Sequence, residues 1–232
     1  LVHDEEGAQL LSLILKAKDL EWGASDNPLA EETKEYFEVN SLDKETLEFL
    51  DEIRALQKGG VDEEVLYILA LTYEHPERSE NAFELIREHK SYIENPQELQ
   101  QKLFRAIETI KRLFSVSPLV EKFRSGAEQD KKERLKNLKE TKTRIEKIIV
   151  FFKPDSKTTK IKRVSLMPTD PLYRKNFGYA FVFGEELVLK THIENPDNLE
   201  HEFSHSIINP IVDKLFDQLT PEQKEEISEL AS

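Results

Sequence analysis

The sequence predicts an α+β fold: a helical array over residues 1–120, then a small sheet and a capped helix within residues 121–232. Three observations carry this expectation. Apolar residues recur near every 3.6 positions through the first half of the chain. Strand-like runs occur only after residue 147. The last of these runs leads into a capped helix that carries His201-Glu202-Phe203-Ser204-His205.

In order along the chain, helical periodicity covers residues 5–20, 43–57, 62–74, 79–90 and 97–114, and residues 27–35 form a polar connection opening a short helix. Asn40-Ser41, Gly59-Gly60, His75-Pro76 and Asn95-Pro96 punctuate these segments. The short joints suggest antiparallel neighbours, and the lack of a fixed period argues against a tetratricopeptide-type repeat. Trp22, with Leu20 and Leu29, reads as a packing residue. The boundary between the two parts falls at 115–128, either at Ser115-Val116-Ser117-Pro118 or at Ser125-Gly126.

A charged helix over 128–147 is then expected to lead into a first strand, Ile148-Ile149-Val150-Phe151-Phe152, closed by Lys153-Pro154. Lys160–Leu166 alternates polar and apolar as a half-exposed strand does. Residues 178–183 and 186–192 form a hairpin about Gly184-Glu185, with the second strand placed at the sheet edge. Asn195-Pro196-Asp197 supplies an N-cap, a first-position proline and a first-turn acid, and Leu199, Phe203 and Ile207 give the following helix a buried stripe. Asn209-Pro210 ends or kinks that helix, and Thr220-Pro221-Glu222-Gln223 has the form of a capping box.

At 232 residues, 38% hydrophobic and 34% charged, the chain is long enough to bury a substantial core. Zero cysteine excludes disulfides and thiolate metal sites, leaving nitrogen and oxygen as donors. No run approaches the ~20 apolar residues of a membrane span. The net charge of −13 is uneven, since residues 131–163 hold 13 Lys and Arg against four acids. No aromatic residue interleaves the charges of 131–147, so this block reads as a solvated helix face and outward lysines, with no nucleic-acid partner expected.

The segment 201–205 carries the chemistry. Residues four apart on a helix share a face, so His201 and His205 can direct two imidazoles at one zinc ion. Glu202 projects beside the ion, where a general base removes a proton from the water that zinc activates. Zinc lowers the pKa of that water from ~15.7 to roughly 7. These residues imply a zinc-dependent metallopeptidase acting on a peptide or protein. The alternative from another class is an inactive binding or scaffold protein that uses its helical half for interaction. His192, His3, His75 and His89 read as surface residues, and Tyr173, Arg174 and Tyr179 as packing or solvated groups rather than oxyanion ligands.

His-Glu-Phe-Ser-His-Ser-Ile-Ile-Asn-Pro, residues 201–210, resembles the active-site segment of a bacterial family of zincin-type metallopeptidases with an HEFSHS-x-x-NP helix behind a helical N-terminal region. Leu10–Leu15, Tyr36-Phe37 and Val65–Leu71 are similar to that region's pattern. The resemblance implies a zincin-like sheet with an HExxH helix, His201 and His205 as ligands, Glu202 as base and an extracytoplasmic setting, with a cytoplasmic one as the alternative. A glutamate-type zincin takes its third ligand from a following helix, where Glu225, Glu226 and Glu229 stand; a residue beyond Ser232 is the other source. Because the chain stops 22 residues after Pro210, it is expected to be a shortened form that is at best weakly active alone.

Overall fold

The computed structural model describes residues 5–16, 28–58, 63–89, 93–152, 162–167, 179–190, 218–220 and 223. The helices are α1 (Glu6–Lys16), α2 (Pro28–Val39), α3 (Lys44–Lys58), α4 (Glu63–Ala70), α5 (Ser79–His89), α6 (Pro96–Ser115) and α7 (Val120–Phe152). A 3-10 turn, Pro76–Arg78, joins α4 to α5, and the strands are β1 (Arg163–Met167), β2 (Tyr179–Phe183) and β3 (Glu186–Lys190). Helix predominates and the sheet is small and mixed, as an α+β chain requires.

α1 is buried on most of its surface, with Leu10, Leu11, Leu13, Ile14 and Leu15 covered together with Ser12 and Lys16, so it lies inside the array rather than on it. It packs against α6, α4 and α2. Gly7 permits a close approach to the end of α4. A methyl group there would lie 2.4 Å from the Ala70 carbonyl oxygen and 2.6 Å from Tyr73 Cβ. α6 is the second organising helix. The Asn95 side chain accepts a hydrogen bond from the Glu98 amide at 3.2 Å, and Pro96 occupies the first turn. From that start Leu99, Leu103, Ala106, Ile107, Ile110 and Phe114 form a buried stripe at three- and four-residue intervals. α3 begins in the same way, with Asp43 Oδ1 accepting from the Thr46 amide at 2.8 Å.

The expected break between α6 and α7 is present, since the chain turns over residues 116–119. The expected strand at Ile148–Phe152 is not: these residues are the last turns of α7. Their β-branched and aromatic side chains favour a strand locally. They nevertheless follow an unbroken helix reinforced by Arg144–Glu140 and Lys142–Glu146 contacts, and extending a helix costs far less than starting a new element. Gly126 lies within α7 and does not end it.

The sheet order is β1-β3-β2, with β1 parallel to β3 and β2 antiparallel to it. β2 and β3 form the expected hairpin, and Gly184 takes φ of 60° in its turn, where a side chain would be strained. The expectation that the strand beginning at Glu186 lies at the sheet edge is wrong. β3 is the central strand, paired from Glu186 to Lys190 on both sides. Leu187, Val188 and Leu189 are all fully buried, so both of its faces are covered, as a continuous apolar run allows. Phe181, Phe183 and Val188 join the same apolar cluster as the helices, so helical array and hairpin share one core. Among the described residues no helix is long and apolar enough to cross a membrane.

Candidate functional site

His201, Glu202 and His205 lie outside the described residues, as do Glu225, Glu226, Glu229, His192, Tyr173, Arg174 and Trp22. Tyr179 opens β2 opposite Lys190. The capping box at Thr220 is present: its amide donates to Gln223 Oε1 at 2.9 Å, and the Gln223 amide donates to Thr220 Oγ1 at 3.4 Å. Among the described residues no group of three or more His, Asp or Glu side chains is arranged to hold a metal ion. With no cysteine in the chain, any zinc would take nitrogen and oxygen donors, and the imidazoles of 201 and 205 with a carboxylate would suit the ion chemically.

What the structure does define is how the hairpin preceding that segment is held. Arg78, at the end of the 3-10 turn, is 3% exposed and grips two buried carboxylates. Its Nε and Nη2 donate to Glu186 Oε2 and Oε1 at 3.1 and 3.0 Å, a bidentate pair. Its Nη1 donates to both oxygens of Glu5 at 3.1 Å and to the Leu71 carbonyl at 3.0 Å. Glu186 also accepts from Ser165 Oγ at 2.6 Å and Arg163 Nη2 at 3.0 Å, so β1 and β3 are tied to the same cation. Arg78 stands over the Phe183 ring as well, 5.8 Å from its centre. One side chain thus joins the start of α1, the 3-10 turn, β2 and β3.

The electrostatics follow from that geometry. Burial alone would raise the Glu186 carboxyl, but the hydrogen bonds from Arg78, Ser165 and Arg163 and the Arg78 charge outweigh it and hold it down at about 2. For Arg78, burial would weaken the cation, yet the two carboxylates more than offset it and keep it firmly charged. At the rim Glu74 is pushed up by burial and by the neighbouring Glu5 charge. His75 sits between Glu5, 3.9 Å away, and Glu77, 3.0 Å away.

A concavity lies between α3 and α6, lined by Asp43, Glu45, Glu52, Lys102, Arg105 and Thr109. Its charges satisfy one another. Lys102 bridges Glu52 and Glu98 at 2.9 Å, Arg105 pairs with Glu45, and Thr109 donates to Asp43. It has the character of a closed surface network rather than of a ligand site.

The Arg78 centre escaped the sequence reading because its parts come from positions 5, 78 and 186, and no local pattern joins them. The one signal was an acid opening an otherwise apolar strand at Glu186. Comparison of the chain with protein-family models, curated proteins and solved structures gave no match to any of them.

Proposed function

We propose that the chain is a zinc-dependent metallopeptidase whose reacting groups are His201, Glu202 and His205. The observation that carries this reading is the His-Glu-x-x-His spacing on a capped segment that begins a few residues after β3. The observed hairpin supports it, because a rigid, doubly paired strand anchored by Arg78 is a firm support for the segment that follows. Bound zinc would supply Lewis acidity, polarising the scissile carbonyl and lowering the pKa of a water molecule to roughly 7. His201 and His205 would present neutral imidazole nitrogens to the ion from one helix face. Glu202 would take the proton from the attacking water and return it to the leaving amine. Because β3 spends its backbone groups on β1 and β2, it is not the strand that receives an extended substrate.

Glu202→Gln tests the reading. The variant is expected to keep its metal while losing a factor of ~10²–10⁴ in peptide hydrolysis. The His201→Ala/His205→Ala double variant is expected to lose about one zinc per chain by elemental analysis. Unchanged zinc content in the double variant, or unchanged turnover in Glu202→Gln, would overturn the assignment.

A further inference from the structure

We propose that two copies of this chain associate by laying the basic face of α7 from each along the acidic face of α2 in the other. This rests on the charge layout of the described helices and is independent of the peptidase reading.

Among the described residues, α7 is anchored at its base. Phe123 is buried against Phe114, with ring centres 5.4 Å apart, and Lys122 pairs with Glu32. Of the α7 side chains described beyond Phe123, Gly126 and Arg144 are half-buried and the rest are exposed. At 3.6 residues per turn, Lys132, Leu135, Lys136, Lys142 and Lys147 fall within one arc of about 140°, which they share with Glu128 and with Glu146, the latter 3.8 Å from Lys142, so the arc keeps an excess of positive charge. Lys132, Lys136 and Lys147 are exposed and form no ion pair among the described residues, and Leu135 is 50% exposed between them.

α2 offers the complementary stripe. Its inner face is closed by Ala30, Thr33 and Phe37. Glu35 and Glu38 point outward without an ion pair among the described residues, and Val39 next to them is 82% exposed. Leu135 and Val39 are two of only three large hydrophobic side chains left exposed among the described residues. The third is Val116, in the turn between α6 and α7. A lysine stripe around a leucine therefore matches a glutamate stripe beside a valine, each at three- and four-residue spacing.

The match cannot be made within one molecule. Tyr36 donates to the Leu113 carbonyl, whereas Lys122 reaches back to Glu32, so α7 leaves the array toward the N-terminal end of α2. Lys132 then lies about 15 Å farther along the α7 axis, away from Glu35 and Glu38. A polyanionic partner fits less well. The net charge of −13 weighs against nucleic acid, an anionic bilayer and a second copy alike and does not choose between them, but no aromatic residue punctuates 131–147 for stacking on bases. A second copy brings the discrete acids that the stripe needs, and a two-fold axis makes the contact twice.

Sedimentation equilibrium of the full chain at about 50 mM and about 0.5 M salt tests the idea, because screening shortens the reach of these charges several-fold. A dimer at low salt, with Kd at least tenfold weaker at high salt, is expected. Lys132→Glu/Lys136→Glu should be monomeric, as should Glu35→Lys/Glu38→Lys, while an equimolar mixture of the two should form a heterodimer. All four positions are exposed, and circular dichroism checks that each variant folds. A wild-type chain that stays monomeric at low salt overturns the proposal, as does a dimer unaffected by either pair of substitutions. Capture of the monomer by phosphatidylserine vesicles or duplex DNA also overturns it, since the partner is then of another class.

Discussion

Replacing Arg78 by Met tests whether the charge centre at the helix–sheet junction holds the fold together. Methionine fills much of the same volume but removes five hydrogen bonds: two to Glu5, two to Glu186 and one to the Leu71 carbonyl. The carboxylates left behind are not equivalent. Glu186 keeps Ser165 and Arg163, whereas Glu5, 1% exposed, keeps among the described residues only His75 at 3.9 Å. Removing one partner of a buried charge pair typically costs ~3–5 kcal/mol, and the partial compensation at Glu186 places Arg78→Met near ~4 kcal/mol. Adding Glu5→Gln to that variant removes the orphaned charge and should recover at least ~1 kcal/mol. The pH dependence has a definite sign. Glu186 sits at about 2 against an ordinary 4.5, so its contribution, roughly 3 kcal/mol, is complete above 4.5 and is lost as pH falls toward 2. The wild type should weaken through that window. Urea denaturation followed by circular dichroism measures both effects. A cost under ~1 kcal/mol, or equal costs for Glu5→Gln with and without Arg78, would refute the reasoning.

Two further substitutions probe the array that carries the centre. Gly7→Ala gains up to ~1 kcal/mol of helix propensity but forces a methyl into the Ala70 carbonyl and Tyr73, so a net loss of ~1–3 kcal/mol is expected by denaturation, and any gain refutes the contact. Asn95→Ala removes the cap on the Glu98 amide and should cost ~1 kcal/mol, while Asn95→Asp should retain most of it.

Features fixed by neighbouring residues were legible in the sequence. Asn95-Pro96 starts α6, Gly184-Glu185 turns the hairpin, and Thr220 with Gln223 forms its box, because each is a local hydrogen-bond or dihedral requirement. The strand-like Ile148–Phe152 was misread because side-chain propensity there competes with propagation of a helix that begins 28 residues earlier. Strand order was not legible either, since β1 reaches β3 across the hairpin and no short-range pattern records that pairing. Leu187-Val188-Leu189 did hold a clue: three consecutive apolar residues need cover on both faces, which an edge strand seldom has. At the candidate site His201, Glu202 and His205 are legible as chemistry through their spacing alone, while the third ligand depends on how a later segment folds back, which spacing does not encode.

The Arg78 centre also sets an order on biosynthesis. Glu5 and Arg78 both emerge from the ribosome before Glu186, which is made some hundred residues after Arg78. At 5–20 residues per second, that leaves the arginine with one of its two carboxylates for roughly 5 to 20 seconds. Through the same interval the apolar surface that later receives Phe181, Phe183 and Val188 has no cover. Nascent chains stalled before the hairpin should therefore be preferred clients of a hydrophobic-binding chaperone, and release from it should coincide with synthesis of β3.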